Sequence, residues 1–385
     1  MKYFFNVIIF VLISSLLAES AFAKTLNIAF LNGRTNQGFW KNVEDFMVEV
    51  SQDFDDVELT IYRAESNHFT QLKILEEITA PGYKTKYDAV LTRTLKKNGI
   101  KLLEIAEKNK TPLFLFNSGL EADQIAEVGG GPRKNYKYYI GEMYPDDVAA
   151  GYDSAKELYR VAQKHNISSN KKADGRLGVL AFDGGHTNSA SINRVKGLKK
   201  FAAEKSVSLK ILQIIPVNSL NDGGYKESKA KMGRIQGVRY GKINLVWAYN
   251  DSVSVGAIES GTEKLADLSA GTTFFSGGID WTPRAINLVD DGQMAYTLGG
   301  HYMDGGWSFL AVYDYLNGKD FAATEGLMTF NTRLSVINKD NVLGYKRLFV
   351  DNQLSKIDFK NISKFKNSNL ETYNFGLGLL LGQLQ

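Results

Sequence analysis

The chain has 385 residues, a formal net charge of +4, 44% hydrophobic residues and no cysteine. A charge this close to balance, with no basic block, argues against nucleic acid as a partner. Without cysteine there are no disulfides, thiol nucleophiles or thiolate metal ligands, and a chain this long is expected to form two domains held by core burial alone.

The N-terminus, "MKYFFNVIIFVLISSLLAESAFA", places a lysine before an apolar run and ends on Ala21 and Ala23 at the −3 and −1 positions. This is the layout of a secretory signal peptide, residues 1–23, with cleavage expected after Ala23. The apolar run over residues 4–18 is short for a membrane span, and no cysteine follows it to take a lipid. With no other long apolar stretch, the remainder is expected to be a soluble protein of the periplasm.

Beyond Ala23, short β-rich runs alternate with amphipathic helical runs. "LNIAFL" (26–31) reads as a strand, and Phe39, Val43, Phe46, Met47 and Val50 then fall at helical spacing. "VELTIY" (57–62), a helix carrying Leu72, Leu75 and Ile78, "YDAVLT" (87–92), the helix "GIKLLEIAEKNK" and the buried strand "TPLFLFNSG" (111–119) follow. The pattern restarts with a helix over 151–165, strand "RLGVLAFD" (176–183), helix "SINRVKGLKKFAAE" (191–204) and strand "LKILQIIPV" (209–217). A helix over roughly 224–236, then "NLVWAY" (244–249), "DSVSVGAIESGTEKL" and "TTFFSGG" complete it. This alternation predicts βαβ units, and two successive blocks of similar size predict two similar α/β lobes with parallel sheets.

Open parallel sheets bind ligands beyond the carboxyl ends of their strands. Here those ends carry "NGRTNQGFW", "TRT", "NSG", "DGGHTN", "NDS", "GGIDWT" and "GGHYMD". Such loops suit a small polar solute: aromatic faces cover apolar ring faces, while amides, carboxylates and arginine forks fix hydroxyls and charges. Phe39 and Trp40 can supply faces; Asn117, Asn250, Asp280 and Arg194 can supply polar contacts; Arg93 and His301 are further candidates. Each has a second reading: Phe39 falls on the apolar stripe of its helix, Asn117 can turn the chain, Asn250 can cap the next helix, and Arg194 can serve a surface ion pair. Enzyme signatures are poor, since the four histidines are dispersed and no HExxH, P-loop or GxSxG occurs. No catalytic residue, metal or cofactor is expected.

Taken together, "IAFLNGRTNQGFWKNVEDF", "TPLFLFNS", "YIGEMYPDDVAAGYDSAKEL", "SINRVKGLKKF", "LVWAYNDSVSVGAIES" and "SGGIDWTPRAINLVDDGQMAYTL" resemble the type 1 periplasmic binding proteins, in the ribose/galactose branch with its autoinducer-binding relatives. The resemblance implies two Rossmann-like lobes joined by a three-crossing hinge, closing on a solute. It implies Gln37, Phe39, Trp40, Asn117, Arg194, Asn250 and Asp280 as cleft residues, with Asn36 beside them. It places 24–141 and about 301–330 in one lobe, 142–300 and about 331–345 in the other, and 346–385 in a C-terminal extension. The tail "FGLGLLLGQLQ" reads as a packed strand or a partner contact. The chain departs from the sugar-binding pattern at Ser118, where ribose sites carry a second arginine. It departs again at "LGGHYMDGGW", where sugar binders carry an amide and autoinducer binders an arginine; Arg93 and His301 are placed to compensate.

The expected role is to deliver a small polar, sugar-like ligand to an ABC permease, or to present the closed form to a membrane sensor such as a histidine kinase or chemoreceptor, as a monomer. A repressor on the same core would need a DNA-reading helix-turn-helix where the signal peptide stands. The alternative is a secreted enzyme acting on a small polar substrate.

Overall fold

Two six-stranded sheets, one per lobe, organise the chain in the computed structural model, which describes residues 25–36, 39–169, 171–185, 189–217, 223–235, 243–264, 269–351 and 353–384. The proposed signal segment and Gln37 lie outside the described residues.

The first block runs β1 (Leu26–Asn32), α1 (Phe39–Gln52), β2 (Val57–Arg63), α2 (His68–Thr79), β3 (Ala89–Thr92), α3 (Gly99–Asn109), β4 (Leu113–Phe116), α4 (Ala122–Glu127) and β5 (Tyr139–Pro145). The second runs α5 (Asp147–Lys164), β6 (Leu177–Asp183), α6 (Ser189–Ala202), β7 (Leu209–Pro216), α7 (Gly223–Ile235), β8 (Leu245–Ala248), α8 (Asp251–Lys264), β9 (Phe275–Ile279), α9 (Pro283–Asp290) and β10 (Tyr296–Gly299). Then come α10 (Asp304–Leu316), α11 (Phe321–Thr324), β11 (Thr329–Thr332), β12 (Ser335–Asn338), α12 (Val342–Phe349) and α13 (Leu377–Gln383).

The first sheet has the order β2-β1-β3-β4-β5-β11, all parallel. The second has β7-β6-β8-β9-β10-β12, parallel except that β12 pairs antiparallel with β10. Central strands β3, β4, β8 and β10 are buried along their whole length, as parallel strands covered by helices on both faces must be. Helix α1 buries Val43, Phe46, Met47 and Val50, the stripe read from the sequence.

The chain passes between the lobes three times: from β5 to α5 at residues 145–147, from β10 to α10 at 299–304, and from β11 to β12 at 332–335. Helix α10 returns to pack on α1 of the first lobe. Two sheets of this kind joined three times constitute the type 1 periplasmic binding fold.

Two expectations are corrected. Helix α5 begins at Asp147 rather than Gly151, because the Asp146 carboxylate accepts from Ala149 N at 2.8 Å and caps it there. The tail, read as a packed strand or a partner contact, is helix α13, which buries Leu377 and Leu380, one turn apart, and lies against α12. Between α12 and α13 the extension crosses to the first lobe. There Phe359 N donates to Asp53, Lys366 pairs with Asp56, and Asp314 accepts from Ser363, Lys364 N, Phe365 N and Tyr373. Phe375 stacks on Trp307 with centroids 5.2 Å apart. The extension thus straps both lobes. Among the described residues, no helix is long and apolar enough to cross a membrane.

Candidate ligand-binding site

A cavity of about 270 Å³ lies between the facing strand ends, lined by Phe39, Trp40, Arg93, Asn117, Pro145, Asp147, Ala190, Arg194, Tyr249, Asn250, Asp280 and His301. Larger depressions, about 670 Å³ beside α5 and about 450 Å³ among α1, α9 and α12, are walled mainly by helices and lack the facing strand-end loops. We assign the site by the strand-end rule rather than by size.

The first lobe's wall starts at the end of β1. Buried Asn32 donates its amide to Glu44 of α1 at 2.7 Å, and Arg63 closes on the same carboxylate, with its nearest contact at 2.6 Å. This ties the β1 loop to α1 and fixes where Phe39 and Trp40 enter the helix. Phe39 lies 4.7 Å from the His301 ring, inclined by 30°, and meets Trp40 edge-on at 5.3 Å. The Arg93 guanidinium sits over the Trp40 ring at 4.6 Å. Four groups therefore form a continuous row, and one indole face is already covered by a cation. Gln71, fully buried on α2, donates to Thr92 Oγ1 and to the Arg93 carbonyl at 2.9 and 2.7 Å, and accepts from Asn98 at 2.9 Å. That network holds the Arg93 backbone in place. Asn117 stands at the end of β4 with φ of +62°, a left-handed conformation that asparagine tolerates.

The second lobe's wall is built around Arg194, which is 5% exposed. Its Nε donates to Asp147 at 2.8 Å, one terminal nitrogen donates to the Tyr249 carbonyl at 2.9 Å, and the same nitrogen lies 3.7 Å from Asp280. Asp147 heads α5 immediately after the first crossing, so the ion pair joins α6 to the hinge. The two helices approach closely because Gly151 and Gly197 face each other. A Cβ on Gly151 would stand 1.8 Å from the Arg194 carbonyl oxygen, and one on Gly197 2.0 Å from that of Val148. Asn250 accepts from Val253 N at 3.1 Å, capping the start of α8, and lines the cavity.

Charge regulation differs from group to group. Burial, with Asp251 and Asp147 adding to it against the pull of Arg194, pushes the Asp280 carboxyl up to about 7. Burial likewise raises Asp251 to about 6, although Thr282 and Thr297 hydrogen bonds favour its ionised form. His301 is driven down to about 3 by burial and by Arg194, so it is neutral. Its Nε2 is 3.6 Å from Asp280, and its buried Nδ1 has no hydrogen-bond partner among the described residues.

Of the residues expected from sequence, Phe39, Trp40, Arg93, Asn117, Arg194, Asn250, Asp280 and His301 line this cavity. Asn36 is exposed and not among its lining residues, and Gln37 is outside the described residues. Sequence reasoning did not single out Pro145, Asp147, Ala190 or Tyr249. The strand-end rule applied to β5 and β8 would have reached Pro145, Asp147 and Tyr249; Ala190 carries no polar signal. No group of three His, Cys, Asp or Glu side chains among the described residues is arranged to hold a metal.

The chain's likenesses agree with this geometry. Its fold is similar to that of a periplasmic sugar-binding protein from Pseudomonas fluorescens (TM-score 0.73, 24% identity, 92% of this chain and 99% of that one). It is also similar to an ABC transporter periplasmic solute-binding protein from Actinobacillus succinogenes with bound D-allose (TM-score 0.64, 19% identity, 83% and 100%). A third likeness is a periplasmic ribose ABC transporter protein from Conexibacter woesei (TM-score 0.65, 13% identity, 84% and 96%). No curated protein sequence matches the chain. The family model described as "Periplasmic binding protein domain" matches residues 28–320, and the chain belongs to that family.

Proposed function

We propose that the protein is a periplasmic receptor for a monosaccharide-sized, polyhydroxylated solute, released from its signal peptide after Ala23 and handing its ligand to an ABC permease. The observation that carries this reading is the cavity between two hinged lobes, with rings on one wall and amide and carboxylate groups on the other. At about 270 Å³ it falls just below the usual range for drug-sized ligands, which suits a single sugar unit. Proteins of the same fold that bind D-allose or serve ribose transport support that ligand class. Phe39 and Trp40 would cover an apolar ring face; Asn117, Asn250 and Asp280 would take hydroxyls; Arg194 would hold Asp280 and Tyr249 in place. Binding would occur without turnover.

The test is isothermal titration of the exported protein with neutral monosaccharides, sugar alcohols and sugar acids, with scattering to follow hinge closure. One-to-one binding, a smaller radius of gyration and chemically unaltered ligand are expected. If no compound in these classes binds, or if bound ligand is converted, the reading fails.

A further inference from the structure

Among the described residues, Arg93 is the charged group of the cavity without a counter-charge. Its Nε donates to the Thr94 carbonyl at 3.3 Å and its face lies over Trp40, and no carboxylate pairs with it among the described residues. A ring face attracts a cation without neutralising it. Arg34, in the loop after β1, adds to the same field: its Nε is buried and without a hydrogen-bond partner among the described residues. Burial together with the Arg34 charge lowers Arg93 to about 9, which still leaves it cationic at neutral pH.

Elsewhere in the cavity the charges are already matched. Arg194 is paired with Asp147, and His301 is neutral. Asp280 is the remaining acid; it lies near Arg194 and His301 on the opposite wall, and its raised pKa reduces its charge near pH 7. A cation held in a site of limited solvation without a partner is costly, and an arriving anion recovers that cost. Trp40 covers one guanidinium face and the Thr94 carbonyl takes Nε, so the two terminal nitrogens are the donors left to a ligand, and they match a carboxylate through parallel N–H bonds.

We infer that the natural ligand is a sugar acid, a monosaccharide-sized polyol whose carboxylate meets the edge of Arg93 on the first lobe while its hydroxyls meet Asn250 and Asp280 on the second. This rests on the receptor function proposed above and names its ligand class. Gln71 is the positioning residue, since its side chain fixes the Arg93 carbonyl.

The experiment is titration calorimetry with matched pairs: D-galacturonate against D-galactose, D-gluconate against D-glucose, and D-arabinonate against D-arabinose. The parent protein, Arg93→Gln and Arg93→Lys are compared at equal ionic strength, with thermal melts to verify folding. In the parent chain, at least one acid should bind tenfold or more tightly than its neutral mate. Arg93→Gln should erase that ratio, and Arg93→Lys should retain part of it. Neutral mates binding as well as or better than every acid would overturn the sugar-acid assignment and leave the receptor reading standing. An acid preference that survives in folded Arg93→Gln would also overturn it. Binding by no member of any pair would overturn the monosaccharide receptor reading itself.

Discussion

The two walls of the cleft use the same strand-end geometry to opposite effect. On the β1–β5 side, a row of rings ends in an arginine with no carboxylate partner among the described residues. On the β6–β10 side, Arg194 is held by Asp147 and the Tyr249 carbonyl before any ligand arrives. The second wall is preorganised by internal pairing, and the first keeps donor capacity in reserve. A residue of the same type can therefore brace the protein or serve recognition, and its partners decide which.

The comparison breaks most visibly at Arg194. Arg194→Ala strands Asp147 and Asp280 without their buried cation and should cost about 3–5 kcal/mol of stability, read from urea unfolding. A loss under 1 kcal/mol would mean that the second wall is not held by this pair. Next is Gly151→Ala, whose new methyl group would meet the α6 backbone at 1.8 Å. It should lower stability by roughly 1–3 kcal/mol through overpacking, and it should move Arg194 enough to weaken ligand binding.

A smaller effect is expected from pH. Asp280 and Asp251 hold protons in the folded state that they release when unfolded, because their folded pKa values lie above the ordinary carboxylate value of 3.8. The empty protein should therefore lose stability as pH rises from about 4 to about 7, visible as a falling thermal midpoint. Asp280→Asn should flatten that slope and stabilise the empty protein at pH 8 by about 1–2 kcal/mol while weakening the ligand. Smallest is Asp304→Asn at the second crossing. Burial raises the Asp304 carboxyl well above its usual range, and Thr332 donates to it at 3.1 Å. Replacing this buried acid by its amide, which keeps an acceptor for Thr332, should change stability by less than about 1 kcal/mol.

Much of this was legible from periodicity and strand ends. Eight of the first ten strands follow runs whose spacing is set by burial on both sheet faces, and most expected site residues sit at strand termini; β5, β10, α4 and α9 are not assigned by the sequence reading. The carboxyl-end segment was less legible. The sequence reading assigns no elements to 304–340, where α10, β11 and β12 lie, because glycines and short strands blur both periods. The tail's strand reading fails because a leucine run reads the same in either period, and packing against α12 selects the helix. The pairing of Arg194 with Asp147 spans 47 residues and has no local signature. Nor does the capture of Trp40 by Arg93, which depends on how two strand-end loops meet.

The central claim is that solute binds between these walls, against the ring row. Calorimetric titration of Trp40→Ala beside the parent chain, using the tightest-binding sugar or sugar acid, tests it most directly. Removing the indole takes away a stacking surface and the seat of Arg93, so the variant should fold with a near-parental melting curve and lose affinity by about 100-fold, near 3 kcal/mol. A folded Trp40→Ala that binds as tightly as the parent would contradict the placement of the site.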